Sequence, residues 1–121
     1  MRKQLIALLF LAAALQSYAG DSLNAVLLER KGIGHLEHFV PFDQPDVYYD
    51  SDNQTIIIDG GGAVSYYDVE IEPVSSSVPV ISTQVSGYYD TIDVSSLSTG
   101  EYVITIYSPT NNTFEGFFEI E

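Results

Sequence analysis

The sequence predicts an all-β protein of two antiparallel sheets packed face to face, with about seven strands, and three observations carry that reading. From Asp46 onward, runs rich in Val, Ile, Tyr, Phe and Thr recur about every 8 to 12 residues, the length of a strand plus its turn. Between them lie SDN, GGG, PVSSS, SG, SSLSTG and SPTNN, whose residues favour turns through φ freedom, a fixed φ or local side-chain hydrogen bonds. Within the runs apolar and polar residues alternate, and after the first nineteen residues no stretch carries a helical period.

Those nineteen residues, MRKQLIALLFLAAALQSYA, begin with Arg2 and Lys3, continue as an apolar run from Leu5 to Leu15 and end on Ser17-Tyr18-Ala19. The pattern is that of a secretory signal peptide cleaved before Gly20. The apolar run falls short of the roughly 20 residues that a membrane-spanning helix needs. With no cysteine in the chain there is neither an acylated lipoprotein end nor a disulfide, so an exported product, periplasmic or extracellular, must stand on its core alone. Cleavage leaves about 102 residues, the size of one domain. Residues 20–121 are therefore read as a single sandwich domain, in which 20–45 form an irregular lead-in. Within that lead-in NAVLLER supplies an edge strand, and Pro41 and Pro45 break the extended segment that follows.

Charge excludes two classes of partner. All 17 acids lie after the signal segment, where Arg30 and Lys31 are the remaining cations. A nucleic-acid surface places Lys and Arg against phosphates, and this one would repel them. The same field opposes docking on anionic lipid, and no second hydrophobic segment would insert into a membrane.

The strands are read at 47–49, 54–59, 64–72, 78–85, 88–94, 101–107 and 113–121. Alternation assigns each an inner face. Ile56 and Ile58, Tyr67, Val69 and Ile71, Ile92 and Val94, Tyr102, Ile104 and Ile106, and Phe114, Phe118 and Ile120 point inward. Glu115, Glu119 and Glu121 face water, and a slip of one residue would bury them.

The stretch SSLSTGEYVITIY contains the corner Leu97-Ser98-Thr99-Gly100-Glu101-Tyr102. In two-sheet sandwiches a tyrosine near the start of a late strand places its ring in the core and returns its hydroxyl to an upstream backbone group. Leu97 would pack beneath it and Gly100 would let the chain turn. With TIII, YDVEI, TIDVSSLSTGEYVITI and the terminal GFFEIE in this order, residues 46–121 resemble small exported proteins of Gram-negative gut anaerobes that carry an immunoglobulin-like β-sandwich of unknown function. The Leu-x-x-Gly-x-Tyr turn is also similar to C-terminal sorting domains of a Gram-negative secretion pathway, although the acidic ending departs from their basic one. The first resemblance implies an immunoglobulin-like fold and brings no catalytic residue. It further implies that Asp21-Ser22-Leu23 and Asp90-Thr91-Ile92 fit the O-glycosylation acceptor of the same bacteria, with Ser22 and Thr91 as acceptors.

The remaining clusters are poor sites for chemistry. Gly34-His35-Leu36-Glu37-His38 holds two imidazoles and a carboxylate; on a helix His35 and His38 could share a metal, but on extended chain they point apart. Asp43, Asp46, Asp50, Asp52 and Asn53 offer hard oxygens for calcium without EF-hand spacing, and Asp46, Asp50 and Asp52 are weak metal candidates. Asp59-Gly60-Gly61-Gly62 joins two strands without a helix or a lysine, so it is a flexible connection and no phosphate cradle. Asn53-Gln54-Thr55 and Asn111-Asn112-Thr113 fit the N-glycosylation pattern and read as turns. There is no cysteine, no Gly-x-Ser-x-Gly, and both histidines fall in one short segment, so no nucleophile-base pair emerges.

What remains is a surface. If 64–72, 101–107 and 113–121 share a sheet, its outer face carries Tyr66, Tyr107 and Phe117 among Asp68, Glu70, Glu115 and Glu119. The expectation is an exported, non-enzymatic immunoglobulin-like module without a cofactor that meets a protein or glycan through a sheet face or edge. The alternative is a calcium- or metal-dependent structural or accessory module.

Overall fold

The structure, a computed structural model, describes residues 22–31 and 41–121. Among these there is no helix. Nine strands follow in order: β1 Leu23–Ala25, β2 Glu29–Arg30, β3 Asp46–Asp50, β4 Thr55–Asp59, β5 Tyr66–Pro73, β6 Ile81–Ser86, β7 Tyr89–Asp93, β8 Gly100–Tyr107 and β9 Thr113–Ile120. One sheet has the order β1-β3-β4-β7 and the other β2-β9-β8-β5-β6, every pair antiparallel. The sheets pack as an immunoglobulin-like sandwich.

Alternation dictates the core. Tyr67, Val69 and Ile71 of β5, Ile104 and Ile106 of β8 and Phe114 of β9 face Ile56 and Ile58 of β4, and all are essentially without solvent exposure. Each aliphatic side chain so buried contributes about 1.5–3 kcal/mol. Val47 and Tyr49 of β3 join them. Tyr49 and Tyr102 both meet Phe118, with ring centroids 5.5 and 5.6 Å apart, closing one end of the core with aromatic contacts.

Three expectations are corrected. The count of about seven strands becomes nine, because the lead-in supplies two, one to each sheet. NAVLLER is accordingly no single edge strand: it breaks at Val26, which is buried, and the chain crosses there from β1 on one sheet to β2 on the other. The strand read at 78–85 starts at Ile81, since Val78 and Val80 are exposed and Pro79 has no N–H for a ladder.

β6 is an edge strand whose Ser82, Thr83 and Gln84 are exposed, a polar rim that discourages sheet-to-sheet association. The signal segment read at 1–19, Gly20 and the cluster of His35, Glu37 and His38 lie outside the described residues.

Candidate functional site

Antiparallel pairing gathers the turns β4–β5, β6–β7 and β8–β9, with the entry to β3, at one end of the sandwich. The connection at Asp59-Gly60-Gly61-Gly62, read as flexible, is instead hydrogen-bonded throughout. The Gly60 and Gly61 N–H groups donate to Tyr88 O at 3.0 and 3.1 Å, and Gly62 N–H donates to Gly87 O at 3.0 Å. From the other side, Gly87 N–H donates to Ser65 O at 3.0 Å. At Gly62, with φ of +84°, a Cβ would stand 2.5 Å from the Tyr88 ring, so only glycine lets that ring lie flat on the turn.

A second set of bonds ties the entry of β3 to the β8–β9 turn. The Asp43 carboxylate is fully buried and accepts from Thr110 Oγ1 and, at 3.0 and 3.1 Å, from Asn112 Nδ2. Burial would raise its pKa, but donors from Ser108, Thr110, Asn112 and its own backbone outweigh that and hold the carboxyl below its ordinary value. The Asp43 carbonyl in turn accepts from the buried Tyr67 hydroxyl at 2.8 Å. Burial first, then the Asp43 charge, pushes the Tyr67 phenol up to about 12.

On this fixed frame sit exposed aromatics: Tyr88 is 68% and Tyr89 58% exposed, with Phe42 at 73% nearby in the entry segment. Tyr107, 39% exposed, ends β8 and donates to Glu70 Oε1 at 3.2 Å. Burial, then Glu70 and Glu72, raise its pKa. The surrounding turns, GGGAVS, SGYY and SPTNN, consist largely of Gly, Ser, Tyr and Asn. Adaptable polar contacts around rigid aromatic anchors are the composition of loop-built binding surfaces.

The anticipated contact face is only partly assembled. Tyr66, Tyr107 and Phe117 do share the outer face of the five-stranded sheet, but Tyr66 is half-buried opposite Ser86. Phe117 lies four residues along β9 from the partner of Tyr107, about 13 Å away. Tyr66 and Tyr107 thus belong to the loop end and Phe117 to a different place. Tyr88 and Tyr89 complete the loop end; both were read as strand, which holds for Tyr89 at the start of β7 and not for Tyr88, where the adjacent SG turn was the available signal.

The acidic stretch is not gathered. Asp46 and Asp50 occupy opposite ends of β3, about 13 Å apart. Asp50 accepts from the N–H groups of Asp52 and Asn53 and from Asn53 Nδ2, bonds that close the β3–β4 turn. Among the described residues no three His, Cys, Asp or Glu side chains converge. Thr91 is exposed on the outer face of β7, whereas Ser22 is half-buried and its carbonyl accepts from Ser51 N–H at 2.9 Å. Asn53 is exposed, and Asn111 takes a φ of 72° in the β8–β9 turn.

At the opposite end lies the corner. Tyr102 OH donates to Ser98 O at 2.6 Å, Leu97 packs against the core, and Gly100 opens β8 with φ of 149°. The residue sits at the start of the strand where immunoglobulin-like sandwiches place it.

The fold is thus that of an immunoglobulin-like sandwich. The chain is similar to a DUF3244 family protein with an immunoglobulin-like β-sandwich fold from Bacteroides vulgatus, at 15% identity and a TM-score of 0.64 over 82% of this chain and 99% of the other. At that identity the likeness establishes the fold. No family profile and no curated protein matches the sequence.

Proposed function

We propose that this chain is an exported, non-enzymatic immunoglobulin-like binding module that meets a protein or glycan through the loop end of its sandwich. The observation that carries the reading is the exposure of Tyr88, on a turn fixed by hydrogen bonds, and of Tyr89, at the start of β7. Groups already ordered lose little conformational entropy on binding, so their contact area is converted into affinity efficiently. Export is supported by the composition of residues 1–19, and a non-enzymatic role by the lack of a nucleophile-base pair in the sequence. The calcium-dependent alternative is not advanced, because Asp50 is engaged in its own turn and Asp46 stands at the far end of the strand.

The test is capture of envelope proteins and polysaccharides from the source cells on immobilised protein. Replacing Tyr88 and Tyr89 together with Ser should remove the captured partner and leave the melting temperature within about 2 °C, since both rings are on the surface. Retention of the same partner by a folded variant would refute the loop-end reading.

A further inference from the structure

A second feature lies along the outer edge of β9. Lys31 N–H donates to Thr113 O at 2.8 Å, and β2 pairs Glu29 with Glu115 and Arg30 with Phe114. In an antiparallel ladder, residues two apart turn their backbone groups to the same side, so the odd-numbered residues of β9 address β2. That strand covers β9 only to Glu115, and the crossing chain then passes over Gly116, where a Cβ would meet Leu27 O at 2.8 Å. Phe117 and Glu119 continue the series with no strand alongside among the described residues.

Beside this bare edge is a cleft of about 260 Å³ between β1 and β9. Val26, Tyr49 and Phe118 line it from the core side, and Phe117, Glu119 and Glu121 from the β9 side. Phe117 is 61% exposed. The Tyr49 phenol has its pKa raised by burial, then by Asp50 and Glu121, so the field of the Glu121 carboxylate reaches the cleft. Asn24, on β1, forms the facing wall.

We infer that this seam is a strand-addition site for an extended segment of a partner protein in which basic and apolar residues alternate. An unpaired strand edge accepts main-chain hydrogen bonds from any extended chain, and the adjoining side chains decide which. The period of two sends alternate side chains of the added strand to opposite faces. One set enters the cleft beside Phe118 and Val26. The other lies on the outer face, where Lys or Arg stems cover Phe117 and their charged heads meet Glu119 and Glu121. A second copy of this chain is disfavoured as occupant, since it would bring the same carboxylates edge to edge at a net charge of −13 for the whole sequence. The site is independent of the loop-end reading and is tested separately from it.

The probe is the peptide acetyl-Lys-Val-Lys-Val-Lys-Val-amide, titrated into the folded protein and followed by amide NMR and hydrogen exchange. Saturable shifts are expected in residues 24–26 and 117–121, with the Phe117 and Glu119 amides exchanging at least tenfold more slowly. The double change Glu119→Gln and Glu121→Gln should weaken binding about five- to tenfold. A peptide of identical charge N-methylated at alternate residues should not bind, because it cannot complete the ladder. The Tyr88→Ser, Tyr89→Ser variant should bind the parent peptide normally. Equal binding of the N-methylated peptide, equal binding of a Glu-Val counterpart, or unchanged exchange at Phe117 and Glu119 under saturation would each overturn the inference.

Discussion

The Asn112 side-chain amide donates to the Asp43 carboxylate at 3.0 Å, joining residues 69 positions apart. Through this contact the segment entering β3 is fastened to the turn between β8 and β9, and two of the connections that make up the loop end are held in one arrangement. Replacing Asp43 with Ala would remove the charged acceptor of Thr110 and Asn112. The expected cost is about 1.5–3 kcal/mol in chemical denaturation, because hydrogen bonds to a charged group are lost.

The same carboxylate predicts an acid-sensitive increment of stability. Its folded pKa lies below the ordinary aspartate value, so the native state favours the ionised form. The increment is complete above about pH 4 and is lost as pH falls through the lowered folded value. Denaturation measured at pH 6 and pH 3 should show a smaller difference in Asp43→Asn than in the parent protein. Equal differences would show that the donors around Asp43 do not favour the charged form.

Tyr67 predicts the reverse at alkaline pH. With its phenol pushed up to about 12, the native state holds a proton that the unfolded chain, at 10.0, releases. Stability is fully present below pH 10 and falls as pH rises from 10 toward 12. In Tyr67→Phe that alkaline slope should be shallower, while stability at pH 7 drops by about 1 kcal/mol from the lost bond to Asp43 O.

For the corner, Tyr102→Phe removes the 2.6 Å bond to Ser98 O and keeps the ring against Phe118. A loss of about 1 kcal/mol is expected, with partner capture unchanged. A loss of capture would move Tyr102 from the frame to the binding surface.

Gly62→Ala tests whether the position of the Tyr88 ring matters. The new methyl would meet that ring at a φ of +84°, so both strain and displacement follow. About 1–2 kcal/mol of destabilisation and a loss of capture equal to that of Tyr88→Ser are expected. Undiminished capture would show that the ring orientation is irrelevant.

Much of the frame was legible because it is periodic. Tyr67, Val69 and Ile71, or Phe114, Phe118 and Ile120, announce their inner face by spacing alone, and the Leu97-to-Tyr102 spacing marks the corner. What was illegible depends on partners far away in the chain. Nothing around Val26 says that the lead-in divides between sheets, since the reason is the path over Gly116. Nothing around Asp43 distinguishes it from the neighbouring acids, since its donors lie beyond residue 107. The GGG turn looks unrestrained in isolation because its hydrogen-bond partners, Gly87 and Tyr88, belong to another turn. Phe117 alternates like its neighbours, and only the early end of β2 shows that no strand lies beside it among the described residues.

The division of the lead-in between the two sheets has a consequence for timing. Lys31 meets Glu115 at 3.4 Å across 84 residues, and among the described strands β2 pairs with β9. Loops this long close late, because their entropy must be met before any contact is gained. β2, although synthesised early, is thus among the last strands to dock. As the chain emerges from a ribosome or a membrane pore, the sandwich stays incomplete until its final hairpin is available.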